Sequence, residues 1–455
     1  MPFRPLLFVV MPFGKKLDPT ARVEVDFDDL FESVIRPAAE AAALDVLRAD
    51  EEIQGGFIHR ALYERLLLAE IVIADLTLAN ANVFYELGIR HAARPRATLL
   101  IFAKLAGLPF DVAPLRAIPY KLEAGVLTDE SRNELRKSLD ERLTVARDDM
   151  EGRDSPLFQL IQEYPGIELP HQVTESFRDR VSKVIDVKAQ IEKAVRDQPV
   201  DVARETLGIV QHSIEPLNTA PPELLVDLLL AHRDISAWDD MVKLVEAMPT
   251  AIKAAVPIRE QLAFALNRRN TGGDRRTAES ILKEIIDANG ASPETCGILG
   301  RVYKDEFEQE LAAGRLARAG AALDEAIRWY GEGFEADPRD FYPGINLLTL
   351  MLRRGSAEDL SRIEELHPVV SFALGRRGGI ASSDYWEVAT GLELAAIAED
   401  WELARRAAGR AVMLAPPGWM IETTVRNLGI LRVAFAALGR DTGALSDVIE
   451  TLRSG

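Results

Sequence analysis

The chain has 455 residues, 54 Lys and Arg against 72 Asp and Glu, and 47% hydrophobic residues, a composition that excludes wholesale disorder. A formal net charge of −18 argues against a surface that coats nucleic acid or anionic lipid, because affinity for phosphates rests on Lys and Arg. The acidity follows length, about −6 over residues 1–160 and about −12 over the rest, so it conceals no basic domain.

Leu6–Met11 reads as a strand. It is too short for the core of a signal peptide, and Pro12-Phe13-Gly14-Lys15-Lys16 ends it. Phe27–Ala43 then reads as a helix, Leu44–Ala49 as a strand, Ile58–Glu70 as a helix and Ile71–Asp75 as a strand, followed by a helix over Val83–Ala93 and a strand over Thr98–Phe102. Continuous apolar strands between helices predict a flavodoxin-like parallel sheet, covered on both faces, over residues 1–125. Ligands of such sheets gather where the carboxyl ends of the strands lead into helices, so the residues just after each strand carry the information.

Residues 126–185 are expected to form a helical connector. Thr128–Asp149 is a charged helix with a stripe of Leu135, Leu139 and Leu143; a breaker-rich stretch follows, and then Val173–Val200 as one or two helices. Residues 186–455 show no strand pattern from about 200 onward, only helical periods punctuated by Pro, Gly and Asp. This predicts an all-α, tetratricopeptide-like repeat domain, with a generic bundle as the alternative. Leu299-Gly300-x-x-Tyr303 followed by Ala326, Tyr330, Gly333 and Pro338 fits one repeat, with about 14 extra residues expected in the loop between its helices. Asp400–Pro417 gives a second fit, with Ala404, Ala411 and Pro416 at the small-residue and terminal positions. No window approaches 18 consecutive apolar residues, so no membrane span is expected. The single cysteine, Cys296, excludes an intramolecular disulfide framework and fits a reducing, cytoplasmic setting.

The densest segment runs Ile71-Val72-Ile73-Ala74-Asp75-Leu76-Thr77-Leu78-Ala79-Asn80-Ala81-Asn82-Val83-Phe84-Tyr85-Glu86-Leu87-Gly88-Ile89-Arg90-His91-Ala92. A strand ends in an acid, a polar loop follows, and a helix opens with an Asn cap and a Glu within about its first turn, where the helix dipole favours a carboxylate. Two readings stay open on spacing alone: Asp75 caps its loop and Glu86 lies on the surface, or both face a ligand at the sheet edge.

This segment, together with Phe8-Val9-Val10-Met11-Pro12-Phe13-Gly14 and Arg48-Ala49-Asp50-Glu51, resembles the nucleoside 2-deoxyribosyltransferase-like superfamily over roughly residues 5–120. It is closest in type to the version found in bacterial signalling and conflict proteins. The resemblance implies that Glu86 stands at the position of the nucleophile that attacks the anomeric carbon of a nucleoside. A carboxylate there would form a glycosyl ester and split N-glycosidic cleavage into two easier steps. Asp75 is the candidate for assisting the leaving base. Two positions depart from the transferases, which carry an Asp where this chain has Asn80 and a first-strand Tyr where it has Phe8. Binding of a ribosyl ligand therefore carries over better than turnover.

Asp384-Tyr385-Trp386-Glu387, Glu399-Asp400-Trp401-Glu402-Leu403-Ala404 and Ala415-Pro416-Pro417-Gly418-Trp419 supply a second resemblance. A deoxyribosyltransferase-like domain followed by tetratricopeptide-like helices is similar to the central, so-called TRAFs-binding region of apoptosis-signal-regulating kinases. Glycine-rich loop, HRD and DFG kinase signatures are lacking, so the resemblance implies a bacterial-type stand-alone counterpart, and the domain's name does not by itself supply a TRAF partner.

The expected ligand-binding residues are Pro12, Phe13, Gly14, Asp50, Glu51, Gly55, Gly56, Asn80 and Asn82, with Glu86 and Asp75 as catalytic candidates. Gly55-Gly56 would let backbone amides approach a phosphate or ribose, or is an ordinary loop pair. His59 and His91 flank the expected pocket or simply pack, and the histidine spacing predicts no metal and no cofactor. Arg90, Arg94, Arg96 and Lys104 either hold a phosphate or screen a helix terminus. Three functions compete: a sensor or scaffold that binds a nucleotide or NAD-derived ligand and engages a protein partner through the helical repeats; an N-glycoside hydrolase or transferase acting on nucleotides, nucleosides or NAD through Glu86; and an interaction protein with a vestigial pocket. Homo-oligomerisation is compatible with each.

Overall fold

The computed structural model describes residues 4–18, 23–49, 58–103, 112, 115, 117–148, 152–161, 163–165, 171–197, 199–414 and 418–454. Strand β1 (Leu6–Val10) leads into a hairpin of β2 (Lys15–Leu17) and β3 (Glu24–Asp26). A continuous helical stretch comes next: α1 (Phe27–Leu30), a π-helical turn (Phe31–Ile35) and α2 (Arg36–Ala41). Then β4 (Asp45–Arg48), α3 (Ile58–Leu68), β5 (Ile71–Asp75), α4 (Ala81–Ala93), β6 (Thr98–Ala103), β7 (Ile118–Tyr120) and α5 (Asp129–Asp148) complete the α/β layers.

The five strands β1 and β4–β7 form one sheet in the order β4-β1-β5-β6-β7, every pairing parallel. This is the flavodoxin-type order, with its switch of direction between β1 and β5. The central strands β1 and β5 are buried along their whole length, as their unbroken apolar sequences require when helices cover both faces. One face is filled by Val25, Phe27, Phe31 and Val34 together with Leu135, Leu139 and Leu143, so the apolar stripe of α5 is part of the sheet's core. The other face packs Phe8, Val10 and Val72 against Leu66 and Leu68 of α3 and Val83 and Leu87 of α4.

Beyond α5 the described residues form helices: α6 (Pro156–Leu160), α7 (His171–Asp197), α8 (Val200–Ser213), α9 (Pro222–Asp234), α10 (Trp238–Ala247), α11 (Thr250–Lys253), α12 (Val256–Arg269), α13 (Asp274–Asn289), α14 (Pro293–Ala312), α15 (Leu316–Ala336), α16 (Phe341–Arg354), α17 (Ala357–Gly375), α18 (Tyr385–Ile397), α19 (Trp401–Met413), α20 (Gly418–Ala437) and α21 (Gly443–Ser454). A five-stranded parallel α/β domain followed by a helical repeat region is the expected fold class, and it is the fold observed. None of the described helices is long and apolar enough to cross a membrane.

The chain divides into two compact units. The first comprises Met1–Ala237 with Leu244–Pro257, the second Trp238–Lys243 with Ile258–Gly455. In the first, α7 packs on α8 and α9, and α9 also touches α3. In the second, successive helices pair from α13 to α19. The small residues of the repeat pattern sit at the closest approaches. A Cβ on Gly300 would lie 2.8 Å from the Tyr330 ring, and one on Gly333 would lie 3.0 Å from Cys296. The expected long loop inside this pair does not exist. Helices α14 and α15 run 20 and 21 residues and are joined only by residues 313–315, because apolar spacing continues through Phe307 in one helix and Ala319 and Leu323 in the other. In the second fitted segment, Ala404, Ala407, Ala408 and Ala411 are fully buried on α19, while Pro416 lies outside the described residues.

Candidate functional site

Because the sheet is parallel, Pro12, Arg48, Asp75, Ala103 and Tyr120 all fall at its carboxyl edge. Asp75, the last residue of β5, is completely buried. One carboxylate oxygen accepts the Thr77 amide at 2.8 Å and the Thr77 hydroxyl, and the other accepts the Tyr120 hydroxyl at 2.9 Å. Thr77 and Tyr120 lie 2.7 Å apart through their own hydroxyls, and Thr77 Oγ1 accepts the Ala103 amide at 2.9 Å. The cluster therefore bolts the ends of β5, β6 and β7 together. Burial raises the pKa of Asp75 to about 6, although the bonds from Thr77 and Tyr120 favour its charged form. The same burial, reinforced by the Asp75 charge, pushes the Tyr120 phenol well above its ordinary value.

Helix α4 begins two residues earlier than its apolar pattern suggests. Asn80 is its cap, its side chain accepting the amides of Asn82 and Val83 at 2.9 and 3.4 Å. Asn82 is exposed within the first turn, and Glu86 is the sixth helical residue, roughly 8 Å along the axis from the first. Glu86 thus lies beyond the turn where the helix dipole acts, which corrects the first-turn expectation. Its carboxyl is half-buried, and desolvation raises its pKa to about 7. Next to it, the exposed Tyr85 approaches Tyr63 of α3, hydroxyl to hydroxyl, at 3.4 Å; that contact, and more weakly the Glu86 charge, raises the pKa of Tyr63. Among the described residues no hydrogen bond joins Asp75 to Glu86.

After β1, Pro12 is buried and Phe13 is 39% exposed. Gly14 turns the chain at φ +64°, a conformation that favours glycine. Its amide donates to Asp28 at 3.0 Å and its carbonyl accepts from Phe27 at 3.2 Å. Asp28 also pairs with Arg48 at 2.8 Å, and the Arg48 guanidinium stacks 4.6 Å above the Phe31 ring. The loop after β1 and the end of β4 are therefore fastened to the start of α1. Asp50, Glu51, Gly55, Gly56 and Lys104, with the side chain of His59, lie outside the described residues.

One member of the predicted basic cluster, Arg90, serves the fold. Arg90 is fully buried, and its guanidinium donates to the carbonyls of Leu66 and Ala69 at 2.9 Å and of Glu70 at 3.2 Å. It closes the carboxyl end of α3, and burial lowers its pKa to about 9. The screening role expected for a helix terminus is thus filled by Arg90, on a neighbouring helix. His91 is buried as well, and desolvation followed by the Arg90 charge lowers its pKa to about 4, so it is neutral at physiological pH.

Tyr120 and Thr77 are the partners that sequence reasoning missed. Thr77 sits two residues beyond a strand-end acid, the spacing of an Asx-type turn, so that signal was present. Ile118-Pro119-Tyr120 carries almost none, being three residues long with a proline at its centre.

The description of the MAP3K TRAFs-binding domain matches residues 83–441, more than three quarters of the chain. The chain belongs to this family. The matched stretch of the TRAFs-binding domain runs from α4 into the residues before α21, and so includes Glu86, β6, β7 and nearly all of the helical array. Among relatives, the chain is 31% identical over 282 residues to mitogen-activated protein kinase kinase kinase nsy-1 of Caenorhabditis elegans, covering 59% of this chain and 18% of that protein. It is 32% identical over 249 residues to mitogen-activated protein kinase kinase kinase 15 of Mus musculus, covering 53% and 18%. It is 26% identical over 392 residues to mitogen-activated protein kinase kinase kinase 6 of Homo sapiens, covering 79% and 29%. The chain thus spans less than a third of the length of each of these relatives. Among solved structures, a tetratricopeptide repeat protein from Parabacteroides merdae superposes with a TM-score of 0.34 at 12% identity, over 61% of this chain and 99% of that one, a likeness too loose to bear on function.

Proposed function

We propose that this chain is a regulatory scaffold: its helical repeats engage a protein partner, and its α/β domain takes a nucleotide or NAD-derived ligand at the carboxyl edge of the sheet. The observation that carries the reading is the extent of the family match, which takes in α4, β6 and β7 of the α/β domain and nearly all of the helical repeats of a domain described by the TRAFs it binds. Stacked helix pairs leave extended surfaces suited to such contacts. The nucleoside deoxyribosyltransferase-like character of residues 5–120 is part of the proposal and rests on the motif from Ile71 to Ala92 and on the sheet order.

The chemistry of the edge favours sensing over turnover. A glycosyl-accepting nucleophile must be ionised, yet desolvation holds the pKa of Glu86 at about 7. An acid that assists a leaving base must reach it, yet Asp75 is buried with both oxygens committed to Thr77 and Tyr120. The same elevated pKa of Glu86 suits proton donation near neutrality and supports N-glycosidic cleavage as the second reading.

The test is incubation of the purified chain with NAD, deoxynucleoside monophosphates and nucleosides, followed by chromatography for free base and thermal melting for binding. A ligand that raises the melting temperature without base release supports the scaffold. Base release abolished by Glu86→Gln establishes the enzyme, and no thermal shift with any of these compounds removes the small-molecule ligand from the proposal.

A further inference from the structure

The α/β unit holds a cavity of about 620 Å³ away from the strand ends that carry the Asp75 cluster. It opens at the amino-terminal half of β6, against Thr98, Leu99 and Leu100, whereas the Asp75 cluster meets this strand at Ile101 and Ala103. Its size is within the range of small-molecule sites.

The wall is built rather than incidental. The Asp154 carboxylate accepts the Thr98 amide at 2.9 Å, and the amides of Asp154 and Ser155 donate to the Pro95 carbonyl at 3.0 and 3.3 Å. Ser155 Oγ is completely buried and donates to the His91 carbonyl at 2.6 Å, while the Tyr164 hydroxyl donates to the Ala92 carbonyl at 3.0 Å. Asp154, Ser155 and Tyr164 are thereby laced to the end of α4 and the start of β6.

Among the described residues, three arginines, Arg96, Arg142 and Arg153, line this cavity with one carboxylate, Asp154. His91 adds no charge, since it is neutral at physiological pH. The described lining is therefore net positive in a chain of net charge −18. Leu99, Leu115 and Val145 supply apolar surface beside the charges. Arginine is the side chain best matched to phosphate oxygens, and apolar walls accept the faces of a planar base.

We infer that the amino-edge cavity is a second site, which binds a phosphorylated nucleotide through Arg96, Arg142 and Arg153. It is distinct from the carboxyl edge and does not depend on the ligand proposed there. Calorimetry on the full chain, with ATP and adenosine as probes, tests it. ATP is expected to bind, adenosine at least tenfold more weakly, and rising salt to weaken ATP, as charge pairing requires. Arg142 is exposed on α5, so Arg142→Glu can be made without disturbing the core, and it is expected to weaken ATP at least tenfold. If that variant melts early, Arg142→Gln serves in its place. Binding lost in Glu86→Gln but kept in Arg142→Glu assigns ATP to the carboxyl edge and overturns the inference while sparing the proposed function. Two sites, each removed by one substitution, uphold both. Absence of ATP binding at 1 mM, on the order of the weakest affinity a specific site shows, overturns the inference outright.

Discussion

Arg65 of α3 and Glu223 of α9 meet as a buried ion pair, Nη2 to Oε1, at 3.3 Å. The residues lie 158 positions apart, so the pair joins the layer covering the sheet to a helix beyond α5, inside one compact unit. About one turn further along α9, Lys188 of α7 pairs with Asp227 at 3.0 Å. Helix α9 is thus tied both to the α/β layer and to α7. Glu223→Ala removes the carboxylate that faces the buried Arg65 and is expected to destabilise this unit by about 3 kcal/mol. The double substitution Arg65→Met, Glu223→Leu is expected to recover most of that loss, as urea titration will show. Additive costs in the two single variants would mean that the groups do not interact.

Tyr120→Phe removes the phenolic donor from the Asp75 carboxylate and is expected to cost roughly 1–2 kcal/mol. The pH dependence has a definite sign. The folded-state pKa of Asp75, about 6, lies above the ordinary aspartate value of 3.8, so the folded protein holds a proton that the unfolded chain releases. Stability contributed by that proton is complete below about pH 4 and declines as pH rises toward 6. Loss of the tyrosine removes a bond to the charged form, so in Tyr120→Phe the decline should extend above pH 6. Urea midpoints at pH 5, 6 and 7 check this.

Glu86 follows the same rule in a higher window. With its folded-state pKa near 7 against an ordinary glutamate value of 4.5, the native protein loses stability as pH climbs between those values. Glu86→Gln carries no titrating proton and should lack that slope. Partial exposure discounts the effect, so at pH 8 the variant should exceed the parent by roughly 1–2 kcal/mol, read from thermal melts across pH 5–8.

The helical unit contains a counterpart of opposite sign. Lys304 is fully buried, donating to Asn346 at 3.1 Å and Asn427 at 3.2 Å, and desolvation lowers its pKa to about 8. Asn427 in turn donates to the buried Glu393 at 3.0 Å, whose pKa burial raises. The unfolded lysine keeps its proton more tightly than the folded one, so stability should rise with pH between about 8 and 10.5. Lys304→Met should flatten that rise, which is measurable by denaturant unfolding at pH 8 and 10.

Gly300→Ala places a methyl 2.8 Å from the Tyr330 ring in a close-packed helix pair, and a loss of about 1–3 kcal/mol is expected. Gly320→Ala, where an added Cβ meets nothing within 4 Å, is the matched control. Equal melting temperatures for the two variants would show that this approach is not tight.

How far these features were legible varies with how local their cause is. Leu6–Val10 and Ile71–Asp75 announce themselves, because a strand buried on both faces must be apolar throughout. Gly300 and Tyr330 were readable as a repeat pair because small and aromatic residues recur at helical spacing. The stripe Leu135, Leu139, Leu143 was equally visible, but periodicity does not say what a stripe packs against, and here it is the sheet. Asp75 was recognisable as a strand-end acid, while its phenolic partner lies 45 residues later on a strand too short to leave a pattern. Contacts closed over that distance are chosen by the assembled fold, not by neighbours in the chain.

Strand β7 borders the sheet with only three residues, and its central one, the exposed Pro119, has no amide proton to give. An incoming chain would find there too little backbone to zip onto, so fibre-like growth from this margin is discouraged. Copies of the protein that associate would have to meet through side chains or through the opposite border, not by lengthening the ribbon at Tyr120.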